Sequence, residues 1–464
     1  MTSNSKIHFE ISERKILLRV FDVIFVLFFL HFLGTTFDFN YFIISAQNFY
    51  WTIILSVYLL FFGTVFEMYN LQIASNQFQI IKSIFLAGSC TVLFYLLTPI
   101  ITPPLPENRL QILLFYIAIL SSLLLWRVVY VNFLASNRFF KKVILICDSE
   151  ELEELVRGLQ NVDPHYKIEG YINSGTQSTD RFVCSYVADI LLEEIEEYIQ
   201  KNNISEIVIA SQKTDGITVE LYNKLLKFLE NGFVIREYTQ VYESITQRIP
   251  VQYVARDFYK YFPFSRSNHN KLYLIFVRIV EVIFASLGLL GGLIITPLIL
   301  IGNAIGNRGP LFYTQERVGK NGAIFKIYKL RSMITNAETS GAVFATVNDS
   351  RITPFGKFLR KSRIDEVPQF INVLKGDMAV IGPRPERPIF VKEIAEIMPF
   401  YETRHVLKPG LTGWAQVNYS YGETIQDSLI KLQYDLYYIK HRSVFLDVSI
   451  TVKTISTVLF YRGQ

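Results

Sequence analysis

Cysteine is scarce in this 464-residue chain, with only Cys90, Cys147 and Cys184 present. They form no CxxC pair and no metal-ligand cluster, which argues against a zinc site or a disulfide framework and fits a reducing, cytosol-facing bulk. Charge is also thin, at 19% of residues with a formal net charge of +5. That modest excess carries no nucleic-acid signature, though it suits work beside anionic headgroups and phosphorylated substrates. No apolar stretch ends in a small-residue cleavage pattern, so the first one is expected to be retained. What is abundant is apolar side chain: half of the residues are hydrophobic, and the mean hydropathy is +0.27. The balance points towards lipid, with length for roughly two to four domains.

Four apolar runs fill the first part: Ile16 to Leu33, Phe49 to Phe66, Phe78 to Ile101 and Leu110 to Ala135. Each approaches the roughly 20 residues that cross a hydrocarbon core as a helix. Arg14, Lys15 and Arg19 flank the first run, and Arg138, Lys141 and Lys142 follow the fourth, whereas the loop from Gly34 to Asn48 has no basic residue. The positive-inside rule then puts both ends of a four-helix membrane bundle in the cytoplasm.

The pattern changes at Lys141. Val143-Ile144-Leu145-Ile146, Glu206-Ile207-Val208-Ile209 and Phe233-Val234-Ile235 read as short strands alternating with helices, an α/β Rossmann-like middle domain. The turn after its first strand is Cys147-Asp148-Ser149-Glu150-Glu151. A dinucleotide site needs glycines there and a helix start that attracts anions, so no bound nucleotide is expected. Internal packing or homodimerisation is the expected role.

Val282 to Ile301 is a fifth uncharged run, long enough to span. Spanning would carry the basic remainder across the membrane. Gly288, Gly291, Gly292 and Thr296-Pro297 instead predict a bent, re-entrant helix, because proline removes a helical hydrogen bond and the threonine hydroxyl satisfies freed backbone groups. The expected domains are 1–138 (four membrane helices), 139–248 (Rossmann-like), 249–270 (connector), 271–305 (re-entrant helix) and 306–464, a mainly α catalytic domain.

Chemistry concentrates after residue 350. Thr353-Pro354 starts a basic amphipathic helix carrying Arg360, and Gly376 stops the helix that follows. Between them stand Asp365 and Glu366. On local grounds Asp365 reads as an N-cap. The cations before it, and Arg384 held among prolines in Gly382-Pro383-Arg384-Pro385, instead suit a diphosphate with Mg²⁺ on a carboxylate. The arginines are expected to keep Asp365 ionised at neutral pH. His405 and His441 read as ordinary polar side chains, and Tyr434, Tyr437 and Tyr438 as an interfacial aromatic face.

These segments resemble a known family. Gly309-Pro310-Leu311-Phe312-Tyr313-Thr314-Gln315-Glu316-Arg317-Val318-Gly319, Tyr328-Lys329-Leu330-Arg331-Ser332-Met333, Asp365-Glu366, Lys375-Gly376-Asp377-Met378, Gly382-Pro383-Arg384-Pro385 and Lys408-Pro409-Gly410-Leu411-Thr412-Gly413-Trp414 occur in order. Together they are similar to the bacterial sugar transferases, monotopic polyprenyl-phosphate phosphoglycosyl transferases of surface-polysaccharide synthesis. The front end resembles that of the family's longer members. The resemblance implies that Asp365 is the nucleophile and the Mg²⁺ ligand, with Glu366 as its partner. It places Arg360 and Arg384 around the substrate phosphates and Thr296-Pro297 at the re-entrant kink; Arg331, in a strand, is expected to position the active-site loop and is counted with the phosphate-binding arginines. It also implies a UDP-sugar donor, a polyprenyl phosphate acceptor and a catalytic domain on the cytoplasmic side of a bacterial inner membrane. The sequence does not choose among glucose, galactose and an N-acetylated sugar. One departure stands out: Tyr419-Ser420-Tyr421-Gly422 replaces a turn that in many members supplies an arginine. A membrane-bound nucleotide-sugar dehydratase would need the missing glycine-rich turn, and a non-enzymatic scaffold would leave the Asp365, Arg360 and Arg384 grouping unexplained.

Overall fold

A computed structural model describes residues 11–39, 41, 49–74, 77–106, 108–133, 140–160, 166–174, 187–210, 217–251, 270–335, 337, 349–398, 400–419 and 424–459. Cys184, residues 252–269 of the connector and Ser420 to Gly422 lie outside these. The chain forms two compact units, Met1–Thr246 and Gln247–Gln464.

The first unit begins with α1 (Ile11–Phe37), α2 (Phe49–Val65), the short α3 (Leu71–Ala74), α4 (Gln77–Leu97) and α5 (Arg109–Phe133). These helices are apolar all round, as the four runs predict. Within α1, α4 and α5, Glu13–Phe37, Ile80–Leu97 and Arg109–Asn132 are long and apolar enough to cross a membrane, while α2 is shorter at 17 residues. A buried ion pair between Asp22 on α1 and Arg127 on α5, at 2.8 Å, ties the first helix to the last.

A five-stranded parallel sheet follows, built from β1 (Lys141–Cys147), β2 (Tyr166–Asn173), β3 (Ala188–Asp189), β4 (Glu206–Ile209) and β5 (Val234–Glu237). Its order, β3-β2-β1-β4-β5, is the doubly wound arrangement expected of a Rossmann-like domain. Helices α6 (Leu152–Gln160), α7 (Ile195–Asn202), α8 (Val219–Glu230) and α9 (Tyr238–Thr246) complete it. Ile144, Ile146 and Ile207 from the central strands pack on Leu221 and Leu225 of α8. Glu206 is fully buried, between Lys141 on β1 at 2.5 Å and Arg236 on β5 at 2.6 Å.

The second unit opens with α10 (Lys271–Gly306), 36 residues that stay helical through Pro297. Thr296 Oγ1 donates to the Gly292 carbonyl at 2.8 Å, as its place before the proline predicts. The helix packs along nearly its whole length on the rest of the unit. Tyr273 meets Asp447 at 2.5 Å, Arg278 donates to the Val373 and Leu374 carbonyls at 2.7 and 2.9 Å, and Asn303 donates to the Gly309 carbonyl at 3.1 Å. Between them the glycines admit close neighbours: Phe370 crowds Gly288, Val367 crowds Gly292 and Phe355 crowds Gly302, whereas Gly291 faces open space.

Beyond α10 come an antiparallel hairpin, β6 (Phe312–Val318) with β7 (Ile324–Leu330), then α11 (Pro354–Lys361), a 3₁₀ turn (Ile364–Gln369), α12 (Phe370–Lys375) and β8 (Ala379–Ile381). After α13 (Pro388–Ile397) follow β9 (Gly410–Thr412), α14 (Trp414–Asn418), α15 (Ile425–His441) and α16 (Val444–Leu459). Strands β8 and β9 pair in parallel. A core of Phe390, Ile394, Trp414, Leu432, Leu436 and Tyr438 joins these helices. The tyrosines of α15 therefore correct the expectation of an interfacial face. Tyr438 is fully buried, with its hydroxyl on Asp447 at 2.7 Å, and Tyr434 and Tyr437 pack against the same core.

Candidate active site

The local signals around α11 hold. Gly356 N–H donates to Thr353 Oγ1 at 2.9 Å, which caps the helix, and Pro354 occupies its first turn. Gly376, at φ 90°, ends α12 in the left-handed conformation that glycine adopts without a Cβ clash.

The capping role read for Asp365 does not hold. Arg363 takes a left-handed conformation, φ 58° and ψ 14°, and occupies the N-cap position two residues before Asp365, so the chain enters the 3₁₀ turn earlier than the sequence suggests. Asp365 thus lies inside the turn and makes no side-chain cap. The residue is 6% exposed, and its Oδ1 is buried without a hydrogen-bond partner among the described residues. A buried anionic oxygen left without a donor is costly unless a ligand completes it.

Glu366 is the opposite case. Its Oε1 accepts from Lys329 Nζ and from Arg384 Nη2, each at 3.2 Å, and Arg363 Nη1 stands 3.5 Å away. Burial alone would raise its pKa, but Lys329, Arg384 and Arg363 outweigh burial and hold the carboxyl well below the usual range. Asp365 goes the other way. Burial first, and then the Glu366 charge, push it up to about 6 against Lys329, Arg360 and Arg363. Asp365 still ionises below neutral pH, as expected, but the arginines do not hold it at an ordinary value, because most of the cationic contacts fall on its neighbour.

Of the predicted phosphate ligands, Arg384 reaches the pair directly. Arg360 projects from the last turn of α11, donates from Nε to Ser332 Oγ at 2.9 Å and acts on Asp365 through its charge. Arg331 is not brought to the carboxylates. It donates to the carbonyls of Pro310 at 2.7 Å, Met333 at 3.2 Å and Asn307. With its donors so engaged, it holds the loops on either side of the hairpin. Thr296 and Pro297 stay within α10, on the turn after Gly292 and its neighbour Val367.

Sequence reasoning missed Lys329, which stands in the quoted Tyr328-Lys329-Leu330 segment. A lysine on the otherwise apolar Phe325-Ile327-Lys329 face of the alternating strand was the available signal. It missed as well the fastening of the Arg384 loop. The carbonyls of four consecutive residues each accept a hydrogen bond: Pro383 from Gly410 N at 2.9 Å, Arg384 from Arg404 at 3.0 Å, Pro385 from Arg317 at 3.1 Å and Glu386 from Val318 N at 2.9 Å. Arg404 is itself buried on Asp435 at 2.7 Å. The prolines alone would restrict this loop, and these bonds fix it.

No group of three or more His, Cys, Asp or Glu that could hold a metal occurs among the described residues. Mg²⁺ is commonly held by one or two carboxylates together with substrate phosphates, and the unpartnered Oδ1 of Asp365 fits that mode.

The model of the bacterial sugar transferase family matches residues 272–461, which contain every group just described. A Bacillus subtilis (strain 168) protein, named as a candidate undecaprenyl-phosphate N-acetylgalactosaminyl 1-phosphate transferase, is 48% identical over 141 residues, 30% of this chain and 79% of the relative. The chain belongs to the bacterial sugar transferase family. Two longer members extend the match. The UDP-N-acetylgalactosamine-undecaprenyl-phosphate N-acetylgalactosaminephosphotransferase of Aeromonas hydrophila is 38% identical over 256 residues, 55% of this chain and 59% of its own length. The UDP-glucose:undecaprenyl-phosphate glucose-1-phosphate transferase of Klebsiella pneumoniae is 39% identical over 291 residues, 60% of each chain. The chain thus spans a little over half the length of these two bacterial sugar transferases.

Proposed function

We propose that this bacterial sugar transferase moves a sugar 1-phosphate from a UDP-sugar to polyprenyl (undecaprenyl) phosphate, releasing UMP and leaving a polyprenyl-diphosphate-sugar. The observation that carries the reading is the asymmetry of the carboxylates. Asp365 is buried with a free oxygen, while Glu366 is held by cations.

In the first step an Asp365 carboxylate oxygen attacks the sugar-bearing phosphorus. The bond from that phosphorus to the bridging oxygen breaks, and UMP leaves with the electron pair. The product is a phosphosugar ester on Asp365. In the second step an oxygen of the lipid phosphate attacks the same phosphorus and frees the aspartate. Two encounters separated in time spare the enzyme from bringing two polyanions together at once. Arg384 and Arg360 would stabilise charge on the phosphates, and Lys329 and Glu366 would orient Arg384. Mg²⁺, held by Asp365 and the diphosphate, would supply further charge neutralisation.

The lipid side follows from α10. Its contacts run from Tyr273 to Asn303, about 45 Å of helix at 1.5 Å per residue, longer than the ~30 Å hydrocarbon core. Its other face exposes Phe276, Ile283, Leu287, Leu293 and Leu298. A straight crossing would drag polar domain surface into lipid, so a one-sided, re-entrant placement at Thr296-Pro297 on the cytoplasmic face of the inner membrane accounts for both faces.

The test is to incubate membranes with undecaprenyl phosphate and a panel of UDP-sugars and to measure UMP. A radiolabelled sugar should remain on the denatured protein when acceptor is withheld. Absence of lipid-dependent turnover with every donor, or full turnover by Asp365→Asn, would sink the proposal.

A further inference from the structure

A cavity of about 640 Å³ opens in the C-terminal unit, and neither Asp365 nor Glu366 lines it. Arg278 on its wall lies fourteen residues before Gly292, the neighbour of Val367. That is about 21 Å along α10 from the Val367 contact. Four cations line the cavity, Arg278, Lys320, Lys408 and Arg442, against one carboxylate, Glu281. Glu281 is occupied by the Val380 N–H at 3.3 Å and by Arg278 at 3.5 Å. Among the described residues the side chains of Lys320 and Lys408 make no hydrogen bond or ion pair. Lys408 and Arg278 nonetheless converge. A Cβ built on Gly376 would lie 3.5 Å from Lys408 Nζ and 3.9 Å from Arg278 Nη2. Burial, and then the charge of Arg278, pull Lys408 below its usual range, with Lys320 adding to the effect and Glu281 and Asp377 only partly offsetting it.

The remaining walls are largely apolar. Two of them, Leu274 and Val277, belong to α10, whose neighbouring Ile275 and Phe276 are exposed. An anion that fits should therefore carry a tail that continues along that face. We propose that this cavity binds the phosphate head of an anionic membrane lipid, with its apolar chain lying over the N-terminal half of α10. The site is separate from the carboxylates and does not depend on the transfer reaction. Bulk phospholipid and polyprenyl phosphate share this chemistry.

Full-length protein in neutral detergent is titrated separately with phosphatidylglycerol, phosphatidylcholine, undecaprenyl phosphate and inorganic phosphate, and its thermal unfolding is followed. Phosphatidylglycerol, undecaprenyl phosphate or both should raise the midpoint, and phosphatidylcholine should not. In a Lys320→Gln, Lys408→Gln chain the apparent affinity should weaken by about tenfold, the loss expected when charge-assisted contacts to one phosphate are removed. Lys392→Gln, at an exposed position on α13, should keep the parent response, and Lys408→Arg should restore it. Lys320→Gln alone, on an exposed turn, keeps the test interpretable if the double variant folds poorly. A response to undecaprenyl phosphate alone, retained in Asp365→Asn and lost in the Lys320→Gln, Lys408→Gln chain, assigns the cavity to polyprenyl phosphate held apart from the carboxylates. A response to phosphatidylglycerol assigns it to the bilayer. Three results would overturn the proposal: no response to either lipid, a response unchanged by the substitutions, or a full response to inorganic phosphate.

Discussion

Lys329, on the penultimate residue of β7, pairs with Glu366 at 3.2 Å rather than with the adjacent Asp365. The lysine comes from a strand 37 residues away, so the hairpin decides which of two neighbouring carboxylates is neutralised. Removing one partner from a largely buried pair typically costs about 3–5 kcal/mol. Lys329→Met should lower stability towards the small end of that range, because Arg384 and Arg363 remain on Glu366. Denaturant melts of the purified protein measure this.

Asp365→Asn should abolish transfer, by about a thousandfold or more, since the amide cannot form the phosphosugar ester. Glu366→Gln should lose less and should leave the ester detectable. Trapping labelled sugar on each variant separates the two roles. Equal trapping by both would show that the pair had been assigned wrongly.

The rate of the first step should fall as pH drops through about 6, the value to which burial and Glu366 push Asp365. The nucleophile must be ionised, so activity is lost on the acid side. The stability contribution has the opposite sign. A carboxyl raised in the folded state above its unfolded value near 3.9 favours the protonated fold, so this term stabilises below about pH 4 and fades as pH rises through about 6. Single-turnover UMP release and melting curves, both taken between these limits, should run in opposite directions.

What the sequence revealed and what it hid divide by distance along the chain. The Thr353-Pro354 start and the Gly376 stop were legible because a cap is settled within four residues. The α/β character of the middle domain followed from alternating apolar strands and helices, although only β1, β4 and β5 of its five strands were read. Asp365 was misread as a cap because Arg363 turns left-handed and starts the 3₁₀ turn before it, a conformation that residue type alone does not announce. Arg331 was read as positioning a loop and was also counted with the phosphate ligands; the carbonyls that occupy it at Asn307 and Pro310 are brought to it only by folding. Burial of Tyr438 was equally hidden, since helical spacing does not say which face meets a core.

Arg404 should matter to catalysis without touching substrate. It is 5% exposed and holds the Arg384 carbonyl while bound to Asp435. Arg404→Met would strand a buried carboxylate and free the loop. We expect a loss of stability of about 3–5 kcal/mol and, below the melting point, a lower kcat with less change in KM for the lipid. An Arg404→Met, Asp435→Leu chain should recover much of the stability but not the rate, which separates loop positioning from bulk destabilisation.

Glu206 supplies the contrasting case, a charged cluster with no place in the chemistry. It sits at the start of β4 and joins Lys141 on β1 to Arg236 on β5, so its carboxylate spans both strands that flank its own. Glu206→Gln keeps the shape but leaves two cations facing a neutral amide. Its cost should be about 3–5 kcal/mol. That cost should appear as earlier loss of amide-exchange protection in β1, β4 and β5. Because Glu206 belongs to the first unit and the carboxylate pair to the second, phosphosugar trapping on Asp365 at low temperature should stay within about twofold of the parent, as expected for sites that share no partner. A collapse of trapping under those conditions would mean that the Rossmann-like domain acts on the active site and is more than a packing element.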